Sequence, residues 1–177
     1  TERGAEGGTA AVDIDDTLSQ YVEAFLPFLA EHGINIKREE IVRSFCEMGV
    51  PDSLFDKFQD NGYLRNLSTV MNSEKCVRSL SQFYTVIAIT SRHPRTYWDT
   101  LNWVRHHFLV IENVVFETDK GKWCAENNAW GLIDDQTRFA QQFPNSFVIS
   151  QPWNEYWYGK RGTWNEITGD ILFNSPM

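Results

Sequence analysis

Cysteine is scarce and unpaired in this chain. Its three copies, Cys46, Cys76 and Cys124, are odd in number, widely spaced and without a CxxC motif. That pattern argues against a disulfide framework and reads as reduced thiols in a cytoplasmic protein. No apolar run approaches the 18 residues that a membrane span needs, so a membrane is not an expected partner. Basic residues are also short, at 16 Lys and Arg against 24 Asp and Glu, and the net charge of −8 offers no broad surface to an extended nucleic acid. Residues 1–8 are polar and glycine-rich with no apolar core, which excludes a signal peptide and reads as a disordered N-terminal segment. Neither Gly7-Gly8 nor Gly121-Lys122 belongs to a GxxxxGK[ST] loop, and His106-His107 has no HExxH context. There is no internal repeat. What remains is 42% hydrophobic and 14% aromatic over 177 residues, enough for one well-buried core with a small insert.

The first apolar run, Thr9-Ala10-Ala11-Val12, breaks into Asp13-Ile14-Asp15-Asp16-Thr17. Like charges gathered at a strand end raise one another's pKa and destabilise the fold unless a metal or a proton is shared, so the cluster points to chemistry. Leu18, Tyr21, Val22, Phe25, Phe28 and Leu29 follow at helical spacing, with Pro27 expected to kink or split that helix. Further helical faces are Ile41/Val42/Phe45, then Leu54/Phe55/Phe58 after Pro51-Asp52, and Val77/Leu80 after Ser73, with a turn at Asp60-Asn61-Gly62. Val86 to Thr90 suits a parallel strand buried on both faces. Pro94 then opens a helix with the stripe Tyr97, Trp98, Leu101, Val104 and Phe108. Val114 to Phe116, Trp130 to Ile133 and Ser146 to Ile149 read as strands, separated by helices over 121–128 and 137–143.

This alternation predicts an α/β fold, a Rossmann-like doubly wound parallel sheet. About seventy residues of helical pattern separate the first two strands, far more than a crossover requires. They predict a small helical cap over 19–83, inserted into a Rossmann-like core made of 9–18 and 84–177.

In such a sheet the strands' carboxyl ends share one edge. Asp13 and Asp15, Thr90-Ser91-Arg92, Lys120 and Asp134-Asp135 all follow strands, so they should converge there. Carboxylates from two strands can hold Mg²⁺, hydroxyl and ammonium groups can grip phosphate oxygens, and one carboxylate remains to react.

The constellation resembles the haloacid dehalogenase superfamily of phosphotransferases. DxDx[TV] stands as Asp13-Ile14-Asp15-Asp16-Thr17, hhh[ST] as Ile87-Ala88-Ile89-Thr90, the lysine motif as Lys120 and the acidic motif as Leu132-Ile133-Asp134-Asp135. The resemblance implies that Asp13 is the nucleophile and Asp15 the acid and base. It implies that Asp13, the carbonyl of Asp15 and Asp134 bind Mg²⁺, and that Thr90 and Lys120 neutralise the phosphoryl group. Ser91 and Arg92 are expected beside the same phosphate. A second acid two residues after the nucleophile favours a phosphatase over a dehalogenase.

Gly62-Tyr63-Leu64-Arg65-Asn66-Leu67, Asp119-Lys120-Gly121-Lys122, Ser150-Gln151-Pro152-Trp153-Asn154 and Trp164-Asn165-Glu166-Ile167 extend the likeness to the 5'(3')-deoxyribonucleotidase, or C-type 5'-nucleotidase, family. This resemblance implies a Mg²⁺-dependent nucleoside monophosphatase. A sugar or other metabolite phosphatase on the same scaffold is the alternative, and a catalytically silent binding protein is a third reading.

Several residues carry two readings. Asp16 can bind metal or cap the next helix, Thr17 can steady the acidic loop, and Asp135 can support the metal from outside or cap the helix near Gln136. Arg92 can meet phosphate or lie on the surface, and Lys120 is preferred to Lys122 because it follows the third strand more directly. His106-His107 fits a helix C-terminus. Trp153, Tyr156, Trp157, Tyr158 and Trp164 can pack or stack on a base. In the cap, Phe25, Phe28 or Tyr63 is expected to face a nucleoside, with Phe25 and Tyr63 as the pocket candidates.

Overall fold

A computed structural model describes residues 7–42 and 44–174. Six parallel strands form one sheet: β1 Thr9–Asp13, β2 Thr85–Thr90, β3 Val114–Phe116, β4 Ala129–Asp134, β5 Ser146–Ile149 and β6 Arg161–Gly162, in the order β3-β2-β1-β4-β5-β6. The expected α/β class is therefore correct. The two-residue β6 carries no strand pattern of its own and was not anticipated. β1 lies centrally, and Ala10, Ala11 and Val12 are completely buried, as a strand covered on both faces must be.

The chain order reverses between β1 and β4, which is where open α/β sheets form their crevice. Val12 pairs with Ile133 and Asp13 with Ile89. One step beyond that register, Asp13 and Asp134 leave the sheet side by side, with Thr90 next to them.

The insert contains α1 Tyr21–Glu31, α2 Asp52–Asp60, a 3₁₀ turn at Tyr63–Asn66 and α3 Ser73–Leu80. Phe25 sits at the centre of an aromatic cluster, its ring centroid 4.8–5.9 Å from those of Tyr21, Phe28, Phe45, Phe55 and Phe58. Burial of these rings stabilises the small insert. α3 packs on the C-terminal helix α7 Trp164–Gly169, so the last helix of the expected 19–83 cap lies against the tail of the chain. Arg95 reaches Asp56 and Asp60, and Arg65 reaches Asp99, each at 2.7 Å, tying the insert to the segment after β2.

Local expectations fail for identifiable reasons. Leu18 is not helical, because Thr17, Leu18 and Ser19 all turn their amides onto the Ile14 carbonyl and α1 opens only at Tyr21. Pro27 does not split α1, whose apolar side stays buried through Phe28 and Leu29. Ile41, Val42 and Phe45 form no helical face: a 3₁₀ turn at Arg38–Glu40 leads into turns, with Ile41 buried and Val42 exposed.

On α4 Tyr97–His107, Thr100, Trp103 and Val104 are buried while Trp98 is exposed. The core takes this face because Trp103 Nε1 donates to the Leu67 carbonyl (2.7 Å) and Thr100 accepts from Arg92. α5 spans Lys120–Glu126. α6 ends at Ala140 rather than 143, since Pro144 disfavours helix at the residue before it. Residues 1–6 of the expected disordered segment lie outside the described residues, but Gly8 is fixed beside β2, its carbonyl accepting from Thr85 N (2.9 Å).

Candidate active site

The acids after β1 are held by a tight loop. Asp16 adopts φ 63°, a left-handed conformation that aspartate tolerates better than most residues. Its carboxylate accepts from Val22 N (3.0 Å), capping α1 from five residues before the helix, and its carbonyl accepts from Gln151 Nε2 (2.8 Å). Of the two readings of Asp16, the cap is the one that the geometry carries. Trp164 Nε1 donates to the Thr17 carbonyl (2.7 Å), so the C-terminal helix also braces this loop.

Carboxylate oxygens of Asp13, Asp134 and Asp135 lie within 4.8 Å of one another, the one such acidic group among the described residues. All three are buried. Thr17 Oγ1 stands 3.2 Å from both Asp13 Oδ2 and Asp135 Oδ1, so its single proton serves one carboxylate at a time. Asp135 Oδ2 accepts from Trp153 Nε1 (2.9 Å) and Gln136 Nε2 (3.2 Å), and the Asp135 carbonyl accepts from Asn154 Nδ2 (2.8 Å). Asp135 therefore does not cap α6. Asp134 Oδ1 accepts from Gln136 N (2.9 Å) in the turn that precedes the helix, and no side chain caps α6. Trp153, read from the sequence as a packing or base-stacking residue, and Asn154, in the stretch after β5, are thus the supports of Asp135.

Lys120 Nζ enters from the start of α5 and donates to Asp13 Oδ1 (2.6 Å) and Asp134 Oδ2 (2.8 Å), 4.5 Å from the centre of the Phe139 ring. Burial would lower its pKa, but the charges of Asp13 and then Asp134 hold it above the ordinary lysine value. Lys122 is exposed and faces Glu126 at 3.8 Å, away from the acids.

Asp15 stands apart from the trio. Its Oδ2 accepts from Arg92 Nε (2.9 Å), and its Oδ1 from Arg92 Nη2 (2.5 Å) and Ser19 Oγ (3.1 Å). Arg92 is buried, so it is not a surface arginine, and its fork is turned onto Asp15. Thr90 is buried, its Oγ1 accepting from Arg92 N (3.1 Å), and Ser91 is half-buried beside it.

Phe25 is fully enclosed by its aromatic neighbours and cannot touch a ligand. Tyr63 is 41% exposed but stacks on Phe58 with centroids 4.9 Å apart. A cleft of about 130 Å³ opens instead between insert and core, lined by Val22, Ile41, Phe45, Gln136, Trp153 and Tyr156. His107 meets Glu74 at 3.3 Å, far in sequence from the acids and consistent with a helix-end role.

Asp13, Asp134, Asp135 and Asp16 are all buried, and the Lys120 ammonium contacts only Asp13 and Asp134. Burial first, and then the neighbouring Asp13 charge, pushes Asp134 from 3.8 to about 7. Burial followed by Asp13 and Asp134 pushes Asp135 well up, and burial does the same to Asp16 against the Val22 amide. A buried, charge-deficient set of hard oxygen donors fits a divalent cation such as Mg²⁺.

The sign of the resulting pH dependence follows. A folded pKa raised above the unfolded one means that the native state binds more protons, so Asp134's favourable contribution is complete below about pH 4 and is lost as pH rises through about 7. Metal-free protein should therefore melt several degrees lower at pH 8 than at pH 5.5 (several-degree shifts being usual for changes of about 1–2 kcal/mol). Millimolar Mg²⁺ should restore more of the melting temperature at pH 8, where the ligands are ionised. Thermal scans at both pH values check this, and a melting point independent of pH and Mg²⁺ would contradict the metal-site reading.

The family described as "5' nucleotidase, deoxy (Pyrimidine), cytosolic type C protein" matches residues 9–174. None of the curated proteins matches the chain. Among solved structures, a haloacid dehalogenase-like hydrolase of Streptococcus pneumoniae superposes with a TM-score of 0.62 at 11% identity, covering 92% of this chain and 97% of the other. The HAD hydrolase YfnB of Bacillus subtilis, bound to magnesium, gives 0.61 at 14% identity, with 94% and 99% covered. A HAD family hydrolase of Deinococcus radiodurans R1, with bound phosphate and sodium, gives 0.59 at 10% identity, with 94% and 96% covered. At these identities the structural likenesses speak for the fold.

Proposed function

The chain belongs to the cytosolic type C 5'-nucleotidase family and is a phosphatase of haloacid dehalogenase type, and from that premise we propose that it hydrolyses nucleoside monophosphates through an aspartyl-phosphate on Asp13. The observation that carries this reading is the pairing of Asp13 with Lys120 at the β1–β4 crevice, beside the buried Asp134 and Asp135.

Asp13 supplies a carboxylate oxygen to the phosphorus, forming the acyl phosphate as the ester oxygen departs. Lys120 holds the other side of that carboxylate and offers positive charge as the phosphoryl oxygens approach. Asp15 gives its proton to the departing alkoxide, then takes one from the water that cleaves the acyl phosphate. Its side chain is 26% exposed, so substrate can reach it while Arg92 and Ser19 hold its inner edge. Thr90 and Ser91 line the phosphate side. Asp13, Asp134 and Asp135, with the Asp15 carbonyl, would hold Mg²⁺, which when bound offsets phosphate charge.

The aromatic cleft of Phe45, Trp153 and Tyr156 adjoins Gln136, the residue after Asp135, and supports a nucleoside leaving group better than the closed cluster around Phe25. A planar base stacks on such side chains, whereas a bare sugar phosphate would leave them unfilled.

Phosphate release across ribo- and deoxyribonucleoside 5'- and 3'-monophosphates and sugar phosphates, with Mg²⁺ or with chelator, tests the proposal. Nucleotide turnover that chelation abolishes is expected. Turnover of sugar phosphates with no nucleotide hydrolysed would reject the substrate assignment, and chelator-resistant turnover would reject the metal.

A further inference from the structure

Arg92 has the residue type and sequence position of a phosphate ligand, yet its geometry serves another purpose. Its side chain is only 1% exposed, against 26% for Asp15, so the open partner of this pair is the acid. Nε and Nη2 form a two-pronged fork on the two oxygens of Asp15, while Nη1 donates to Thr100 Oγ1 (3.0 Å). Thr100 in turn meets the Thr96 hydroxyl at 3.2 Å, and Thr96 donates to the His93 carbonyl (2.8 Å). The Arg92 amide donates to Thr90 Oγ1. The guanidinium is thus fixed to α4 at one end and to Asp15 at the other.

We propose that Arg92 is the positioning residue for Asp15, locking the plane of the proton-carrying carboxylate at the mouth of the site, and is not a phosphate ligand. The inference rests on the reading of Asp15 as the acid and base given above. A carboxylate has about four lone-pair directions. Arg92 fills two and Ser19 a third, so the remaining direction is the one that a leaving oxygen or a water can use. A planar fork fixes orientation, which a lysine's point charge does not. Thr100 keeps the fork from following the substrate.

A leaving-group comparison separates this role from direct phosphate binding. An alkoxide needs a proton as it departs, whereas p-nitrophenolate leaves without one. The full chain with Mg²⁺ is assayed on a nucleoside monophosphate and on p-nitrophenyl phosphate, as wild type and as Arg92→Lys, Arg92→Gln and Thr100→Val. For the Arg92 variants, kcat/KM on the nucleotide should fall about 10–100-fold and on the aryl ester less than about threefold, because a general acid contributes about 10²–10⁴-fold where it is needed. Inhibition by inorganic phosphate should change less than about twofold, and Thr100→Val should show the same selective loss in weaker form.

Retained aryl ester turnover shows that a variant is folded. If the Arg92 variants do not fold, Thr100→Val decides alone. Equal losses on both esters with weakened phosphate inhibition would make Arg92 a phosphate ligand and overturn the proposal. Unchanged turnover of both esters would overturn it as well. A wild type that cleaves neither ester would remove the enzyme reading itself, and the inference with it.

Discussion

Asp13→Asn is expected to reduce turnover by at least about 10⁴-fold while leaving the protein folded, because an amide cannot replace the attacking carboxylate and removal of a nucleophile eliminates the covalent route. Its stability should move in the opposite direction from its activity. Asp13 contributes one of three buried carboxylates within 4.8 Å of one another, and its charge is the first electrostatic cause raising both Asp134 and Asp135. An amide at this position still accepts from Lys120 through its carbonyl oxygen, and its NH₂ can donate to Asp135. In metal-free buffer the variant should therefore melt at or above the wild-type temperature. The stabilisation conferred by Mg²⁺ should shrink, since one ligand has lost its charge. Phosphate release and thermal scans on the same preparations read both effects. Activity within tenfold of wild type would remove Asp13 from the nucleophile's role. A collapse of the melting temperature would mean that it is mainly a structural anchor.

This division between reactivity and stability explains what could be read from the sequence. Asp13, Thr90 and Asp134 were legible because each directly ends a buried parallel strand, and parallel strands align their carboxyl ends whatever their separation along the chain. Lys120 was legible for a related reason, opening α5 just beyond β3.

Asp135 was underestimated because sequence neighbours on a turn can point either way, and only Trp153 and Thr17, 18 and 118 residues distant, fix it toward the acids. Arg92 shows the converse difficulty. Its position after β2 placed it in the site, but whether its fork turns outward to phosphate or inward to Asp15 depends on Thr100, on another element. Phe25 was mistaken for a pocket residue because periodicity identifies an apolar face without saying whether ligand or protein covers it. Here Phe45, Phe55 and Phe58 cover it. The stripe read on α4 holds at Val104 and Phe108, which are buried, and fails at Tyr97 and Trp98, since a buried threonine held by an arginine outweighs an aromatic that solvent can accept.

Lys120→Met should be the most damaging substitution to the fold of any in the site, and its effect should depend on pH. The side chain is 1% exposed and its ammonium donates to both Asp13 and Asp134, so a neutral replacement of similar length leaves two buried acids without their cation. Breaking a buried pair from one side costs about 3–5 kcal/mol. Part of that loss is recoverable in acid, because Lys120 is what lowers Asp134 against burial, and without it the carboxyl takes up a proton still more readily. Denaturant midpoints should accordingly differ from wild type more at pH 8 than at pH 5.5. Turnover should fall about 10²–10³-fold even where the variant is folded, the usual result of removing a preorganised charge from a transition state. Lys122→Met is the matched control. Lys122 is exposed and 3.8 Å from Glu126, a helical pair worth no more than about 0.5 kcal/mol, and it faces none of the acids. Near-wild-type activity and stability for Lys122→Met beside a crippled Lys120→Met would assign the phosphate-facing lysine to 120. The reverse outcome would transfer the role to 122 and leave the buried Lys120 as a counter-ion alone.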